Sequence, residues 1–206
     1  MESKKCLWKC SKCNLEKINK KKKEKNKKDV KSLSEEIEDL RNDLFYFIKN
    51  LDESTIKGAS NFYINVLSLL QDIAQSLEYI SKVTFKHVNN NHKALTFNQI
   101  RELKEISLQL ETLFERTKYA FSKNNFEEIT SILDSKQVLL ESVREKIDNQ
   151  ISRTKSEESS PKNTTLYFSL LIETKDLLNA TTGLLEEYHT EYDSSVKPAK
   201  ISEEGE

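Results

Sequence analysis

The chain has 206 residues, 36% of them apolar and 33% charged, with only 3 Gly and 2 Pro. So few turn-formers exclude sandwiches, barrels and Rossmann-type folds, and the abundance of charge with Leu, Ile, Glu and Lys points to long helices. The net charge of −1 hides two unlike parts: residues 1–31 hold 13 Lys and 4 acids, a net of +9, while the other 175 residues hold 20 basic and 30 acidic groups, a net of −10.

Residues 1–31 show no apolar period, and the lysine-rich stretch from Lys17 to Lys31 repels itself. This segment is expected to be a disordered basic arm, or a fraying extension of the helix that follows. A first helix is predicted from about Asp29 to Asn50. Its stripe Leu33, Ile37, Leu40, Leu44, Phe47 and Leu51 is spaced 4, 3, 4, 3, 4, a heptad seam that asks for a neighbouring helix. Asp52-Glu53-Ser54 supplies the acids and cap oxygens for a second helix. Its stripe is Phe62, Val66, Leu69, Leu70, Ile73, Leu77, Ile80 and Phe85, and it should stop at Val88-Asn89-Asn90-Asn91.

Thr96 with Gln99 forms a capping box for the third helix, striped by Ile100, Leu103, Ile106, Leu110, Leu113, Phe114 and Phe121. Asn125 with Glu128 does the same for the fourth, striped by Ile129, Ile132, Leu133, Leu139, Leu140, Val143, Ile147 and Ile151. The turn between them is so short that they must be antiparallel neighbours. Ser160-Pro161 is a cap followed by proline at the first helical position. The fifth helix carries Tyr167, Leu170, Leu171, Leu177, Leu178, Leu184, Leu185 and Tyr188. Residues 193–206 form an acidic tail expected to be disordered. The predicted fold is all-α, an antiparallel bundle of about five long helices over residues 32–192.

Candidate chemistry is sparse. Cys6, Cys10 and Cys13 have the C-x3-C-x2-C spacing of a radical SAM cluster site, but Lys12 stands where an aromatic usually precedes the last Cys. The composition also lacks an α/β barrel, and a zinc site would want a fourth ligand; the reading is a reduced stub without metal. Glu35, Asp39 and Asp43 recur every four residues and are the candidate metal edge on the first helix. Glu111/Glu115 and Glu187/Glu191 repeat the pattern on what reads as solvated faces. A single Glu-x-x-His, Glu186 to His189, falls short of the two that a di-iron site needs.

His87, Asn89, Asn90, Asn91, His92 and Lys93 form a polar cluster between the second and third helices. It reads as either a helix end or a contact for a partner. Lys20, Lys21, Lys22, Lys23, Lys25, Lys27 and Lys28 are candidate contacts to anionic lipid. Aromatics are not interleaved with them, apart from Trp8, so nucleic acid is not an expected partner. No Gly-rich phosphate loop or nucleophile–base pair is visible, and no cofactor or enzymatic role is expected. The longest unbroken apolar run, Leu44-Phe45-Tyr46-Phe47-Ile48, has 5 residues, against about 20 for a spanning helix. The basic start is not followed by an apolar leader core, so a cytoplasmic location is expected.

Four stretches carry a family resemblance: Leu44-Phe45-Tyr46-Phe47-Ile48-Lys49-Asn50-Leu51-Asp52-Glu53-Ser54, Leu77-Glu78-Tyr79-Ile80, His87 to Lys93, and Tyr167 to Leu178. Together they resemble the cytosolic PhoU-like domain at the C-terminus of bacterial inorganic phosphate permeases, over roughly residues 32–192. The resemblance implies a non-enzymatic bundle that regulates, or tethers to, the membrane domain of a phosphate permease. In such proteins a polybasic segment follows the final membrane helix, as the positive-inside rule favours. The chain looks like that cytosolic portion, placed at the inner face of the membrane, with a second copy of itself as a further expected partner. Several PhoU-like bundles bind metal through Glu/Asp-x-x-x-Asp motifs; here Glu173-x-x-Asp176 is one residue short, and Glu35/Asp39/Asp43 fits. The alternative is a structural helical adaptor unrelated to phosphate.

Overall fold

The computed structural model describes residues 20–49, 53–123, 127–155 and 160–191. Among these residues every regular element is a helix: α1 (Lys20–Lys49), α2 (Glu53–Asn89), α3 (Phe97–Lys123), α4 (Ile129–Lys155) and α5 (Pro161–Glu191). At 1.5 Å per residue, α2 with its 37 residues is roughly 55 Å long.

The helix starts follow their caps. Thr96 and Gln99 exchange backbone and side-chain bonds at 3.0 and 3.4 Å, a reciprocal capping box at the start of α3. Ser160 Oγ accepts from the Asn163 amide at 3.3 Å, with Pro161 opening α5. Asp52, Leu51 and Asn125 lie outside the described residues.

Helix α5 is the centre of the bundle. Tyr167, Leu171, Leu178 and Leu185 on it have no exposed surface. They form one cluster with Ile106, Leu110 and Leu113 of α3 and Ile132, Leu139 and Val143 of α4. Another face of α5 meets α2: Leu166 and Leu170 pack with Ile80 and Val83, and Leu177 with Leu77. Gly183 makes this approach close, since a Cβ there would sit 3.1 Å from Leu69 Cδ2. Contacts 102 with 167 and 121 with 188 show α3 running parallel to α5. Pairs 65 with 187 and 150 with 164 show α2 and α4 running antiparallel to it.

The basic arm ends earlier than the sequence reading places it. The helix begins at Lys20 rather than near Asp29, and Asn26 and Val30 are buried at 6% and 1% exposure. Lysine propagates a helix well once apolar anchors one turn apart dock against a neighbour. Residues 1–19 and 192–206, including Cys6, Cys10, Cys13 and the whole acidic tail, lie outside the described residues.

The α1 seam is also shorter than its heptad. Among the described residues α1 lies beside α2 and no other helix at backbone level. Val30 and Ile37 are buried, but Leu40 is 53% exposed and Phe47 38%. Ile151, the last residue of the α4 stripe, is likewise exposed: at this level it is Gln150 that faces α3 and α5, and Ile151 lies to the solvent side of it.

Core leverage should follow this geometry. Leu178→Ala is expected to cost about 2–5 kcal/mol through the cavity it leaves, and Leu40→Ala to stay within about 0.5 kcal/mol. Urea unfolding followed by circular dichroism measures both.

Candidate functional site

One end of the bundle gathers most of the residues singled out in the sequence. It holds the first half of α1, the last turns of α2, the 90–96 connection, the start of α3, the end of α4 and the start of α5. Lys27 places its ammonium 5.7 Å from the Phe85 ring centre, which fixes α1 against α2 here. Lys25, Lys28, Lys82, Lys86, Lys93, Arg101, Lys155 and Lys162 are all exposed at this end, and so is Phe97 at 75%. The opposite end carries Glu35, Glu36, Glu38, Asp39 and Asp43 of α1, with Glu115, Glu127, Glu128 and Glu186 from the other helices. The bundle is therefore electrically polarised along its length.

The Asn/His cluster is the stop of α2. The His92 amide donates to the His87 carbonyl at 3.2 Å, and the Asn91 amide to the Val88 carbonyl at 3.0 Å. Asn91 is left-handed with φ 52°. This is a Schellman cap with asparagine in the position usually given to glycine. The side-chain contact that accompanies such caps is made by two imidazoles, with ring centres 5.1 Å apart. His87 is 8% exposed, and its Nε2 donates to the Lys93 carbonyl at 2.9 Å. His87 thus has a structural task, whereas Asn89, Asn90, Asn91 and Lys93 present exposed surface.

Beneath this turn lies a polar network that sequence reading missed. Gln99 and Gln150, both at 0% exposure, join α3 to α4 through a 3.0 Å bond, and Gln150 donates to Thr164 of α5 at 3.3 Å. Asn163 Nδ2 reaches back to the Ala94 carbonyl at 2.7 Å, pinning the connection. Arg153 clamps Glu102 with two bonds of 3.2 and 2.8 Å, and the Tyr167 hydroxyl donates to the same carboxylate. Burial pushes the Tyr167 hydroxyl far above the usual tyrosine range, the Glu102 carboxylate adds to the shift, and Arg153 offsets part of it. Burial works against the charge of Arg153, but Glu102 outweighs it and holds the guanidinium above its ordinary value. The partners are separated by 51 and 65 positions, so no local pattern announces them. Gln99 is visible as a cap, but its second partner is not.

The metal candidates are not drawn together with other ligands. Glu35 pairs with Lys31 at 2.9 Å, and Asp39 and Asp43 are exposed on the outermost helix. Among the described residues no group of three His, Cys, Asp or Glu converges as a metal site requires. Glu186 pairs with Lys136 and Glu187 with Asn65, which ties the Glu-x-x-His end of α5 to its neighbours. Lys20, Lys21, Lys22 and Lys23 lie in the first turns of α1.

A groove of about 570 Å³ runs between α2 and α5, lined in part by Asp72, Ser76, Tyr79, Glu173, Asp176 and Asn179. Burial and the Asp176 charge raise the Glu173 carboxyl above the ordinary range, against a lowering bond from Ser76. Three carboxylates there repel an oxyanion, so the groove is unsuited to phosphate.

No family model matches the chain, and no curated protein or solved structure is similar to it. Among the described residues no helix is long and apolar enough to cross a membrane.

Two outcomes test the scaffold of this end. Asn91→Gly should be neutral or stabilising by up to about 1 kcal/mol, and Asn91→Val should cost about 1–2 kcal/mol in the left-handed position. Glu102→Ala should cost about 3 kcal/mol by stranding Arg153 and the Tyr167 hydroxyl. The raised folded pKa of Tyr167 is a stabilising contribution fully present below pH about 10 and lost as pH rises beyond it. Unfolding against pH should therefore steepen above that point in the native chain and less so in Tyr167→Phe; tyrosinate absorbance follows the same transition.

Proposed function

We propose that the chain is a non-enzymatic regulatory bundle that acts at the inner face of a phosphate permease, held there by its basic end. The observation that carries the membrane part is the polarised charge: exposed lysines from four helices and the 90–96 connection share one end, beside the exposed Phe97. Lysines near an anionic leaflet are each worth about 1 kcal/mol, and an aromatic ring at the same end suits the headgroup layer. The acidic end would then point away from the surface. The phosphate part rests on the resemblance of the Leu44–Ser54, His87–Lys93 and Tyr167–Leu178 stretches to permease-attached PhoU-like domains. The buried Glu102–Arg153–Tyr167 and Gln99–Gln150 contacts support the reading physically, because they hold a rigid end that could transmit a push or a pull between membrane and bundle. The role needs no bound phosphate, consistent with an acidic groove.

Vesicle sedimentation and uptake test the two parts separately. The chain should bind vesicles containing phosphatidylserine and not neutral ones. The triple variant Lys25→Gln/Lys27→Gln/Lys28→Gln should weaken binding about a hundredfold. Phosphate uptake by cells carrying the permease should change when the chain is removed. Unchanged uptake at every phosphate level would favour the structural adaptor.

A further inference from the structure

Among the described residues, the second half of α1 leaves large apolar side chains substantially exposed. Leu40 is 53% exposed, Phe45 58% and Tyr46 73%. Phe47 meets an edge of Tyr63, at 5.7 Å between ring centres, and stays 38% exposed. Apolar residues almost all round a helix end belong in a core or an interface. The heptad through Leu33, Ile37, Leu40, Leu44 and Phe47 also asks for a helical neighbour along its whole length, and α2 fills only one side of it.

The charge on α1 says what that neighbour is. Residues 20–31 carry 8 Lys against Glu24 and Asp29, a net of +6; residues 32–49 carry 5 acids against Arg41 and Lys49, a net of −3. A lipid surface is a poor occupant for the aromatic end, because the acids beside it are repelled by anionic headgroups. A second α1 laid parallel would set lysines on lysines and acids on acids. Laid antiparallel, it sets each lysine-rich half on an acidic half.

We propose that α1 pairs with α1 of a second copy of this chain, antiparallel, with the crossing point near Ser34. In that register Lys25 and Lys28 of one copy lie opposite Asp43 and Asp39 of the other. Tyr46 and Phe47 lie opposite the lysine-rich first turns of the other copy. All four charged positions are exposed in the single chain, so the pairing needs no repacking. The pairing sets the basic ends of the two copies at opposite ends of the dimer, so it belongs to the chain away from a membrane, where a leaflet would compete with the second copy for Lys25 and Lys28.

Light scattering after gel filtration of the full chain under reducing conditions, without lipid, tests it. The expected mass is twice 24.0 kDa, falling as salt screens the charges. Lys25→Glu/Lys28→Glu and Asp39→Lys/Asp43→Lys should each raise the dimer dissociation constant about tenfold or more, with helicity by circular dichroism unchanged. Leu40→Ser/Tyr46→Ser should do the same. Combining all four charge exchanges in one chain should restore the dimer, which a parallel pair or an unrelated contact would not do. A native chain that is monomeric at every soluble concentration overturns the proposal. So does a dimer indifferent to these variants, or one that the fourfold exchange fails to recover.

Discussion

The structure depends on one helix being surrounded. Helix α5 offers fully buried side chains at Tyr167, Leu171, Leu178 and Leu185 to α3 and α4, and Leu166, Leu170 and Leu177 to α2. A helix apolar on more than one side is unstable in water until neighbours cover it. A polar group trapped by that covering is satisfied within the helix: the Thr182 hydroxyl, at 0% exposure, donates to the Leu178 carbonyl at 2.9 Å. Gly183 meets the same demand sterically, because it leaves room for Leu69 where α2 closes on α5.

The two ends of the bundle are built by different means. At the acidic end an aromatic chain runs Phe47, Tyr63, Phe62, Tyr188 and Phe121, linking α1, α2, α5 and α3 through ring contacts of 5.3–6.2 Å. At the basic end, hydrogen bonds and the Arg153–Glu102 pair join α3, α4 and α5. Directional bonds hold a turn in one geometry, whereas ring contacts tolerate sliding. The end joined by directional bonds is the one that displays the lysines and the Asn91 cap. Among the described residues, α1 packs at backbone level on α2 alone.

What the sequence disclosed follows from how local each cause is. The α3 box of Thr96 and Gln99 and the α5 cap of Ser160 and Pro161 involve residues within one turn, and both are present as read. The all-helical architecture and most stripes were legible because periodicity is a property of each segment alone. The α1 boundary was not, because the burial of Asn26 and Val30 depends on where α2 lies. The Glu102, Arg153 and Tyr167 cluster was hidden for a related reason: each residue looks like a surface charge or a stripe member until three helices meet. The His87-to-Lys93 stretch read equally well as a helix end or a contact, and the backbone bonds show that ending α2 is one of its tasks.

The charge on α1 is hard to explain from the single chain. The exposed amides at a helix start favour negative charge, and a cation there costs roughly 0.3–1 kcal/mol. Yet the first turn of α1 contains no acid and opens on four consecutive lysines. The acids lie mid-helix, from Glu35 to Asp43, beyond the reach of the macrodipole, and the last turn carries Lys49, a sign it favours. For an isolated molecule the lysine-rich start of α1 has the less favourable sign, and Lys31 with Glu35 offsets little because both are exposed. An arrangement that is unfavourable within the fold becomes favourable once opposite charge arrives from outside. A leaflet supplies it for the lysine half alone; an antiparallel copy supplies it for both halves and covers Leu40 and Tyr46 at the same time.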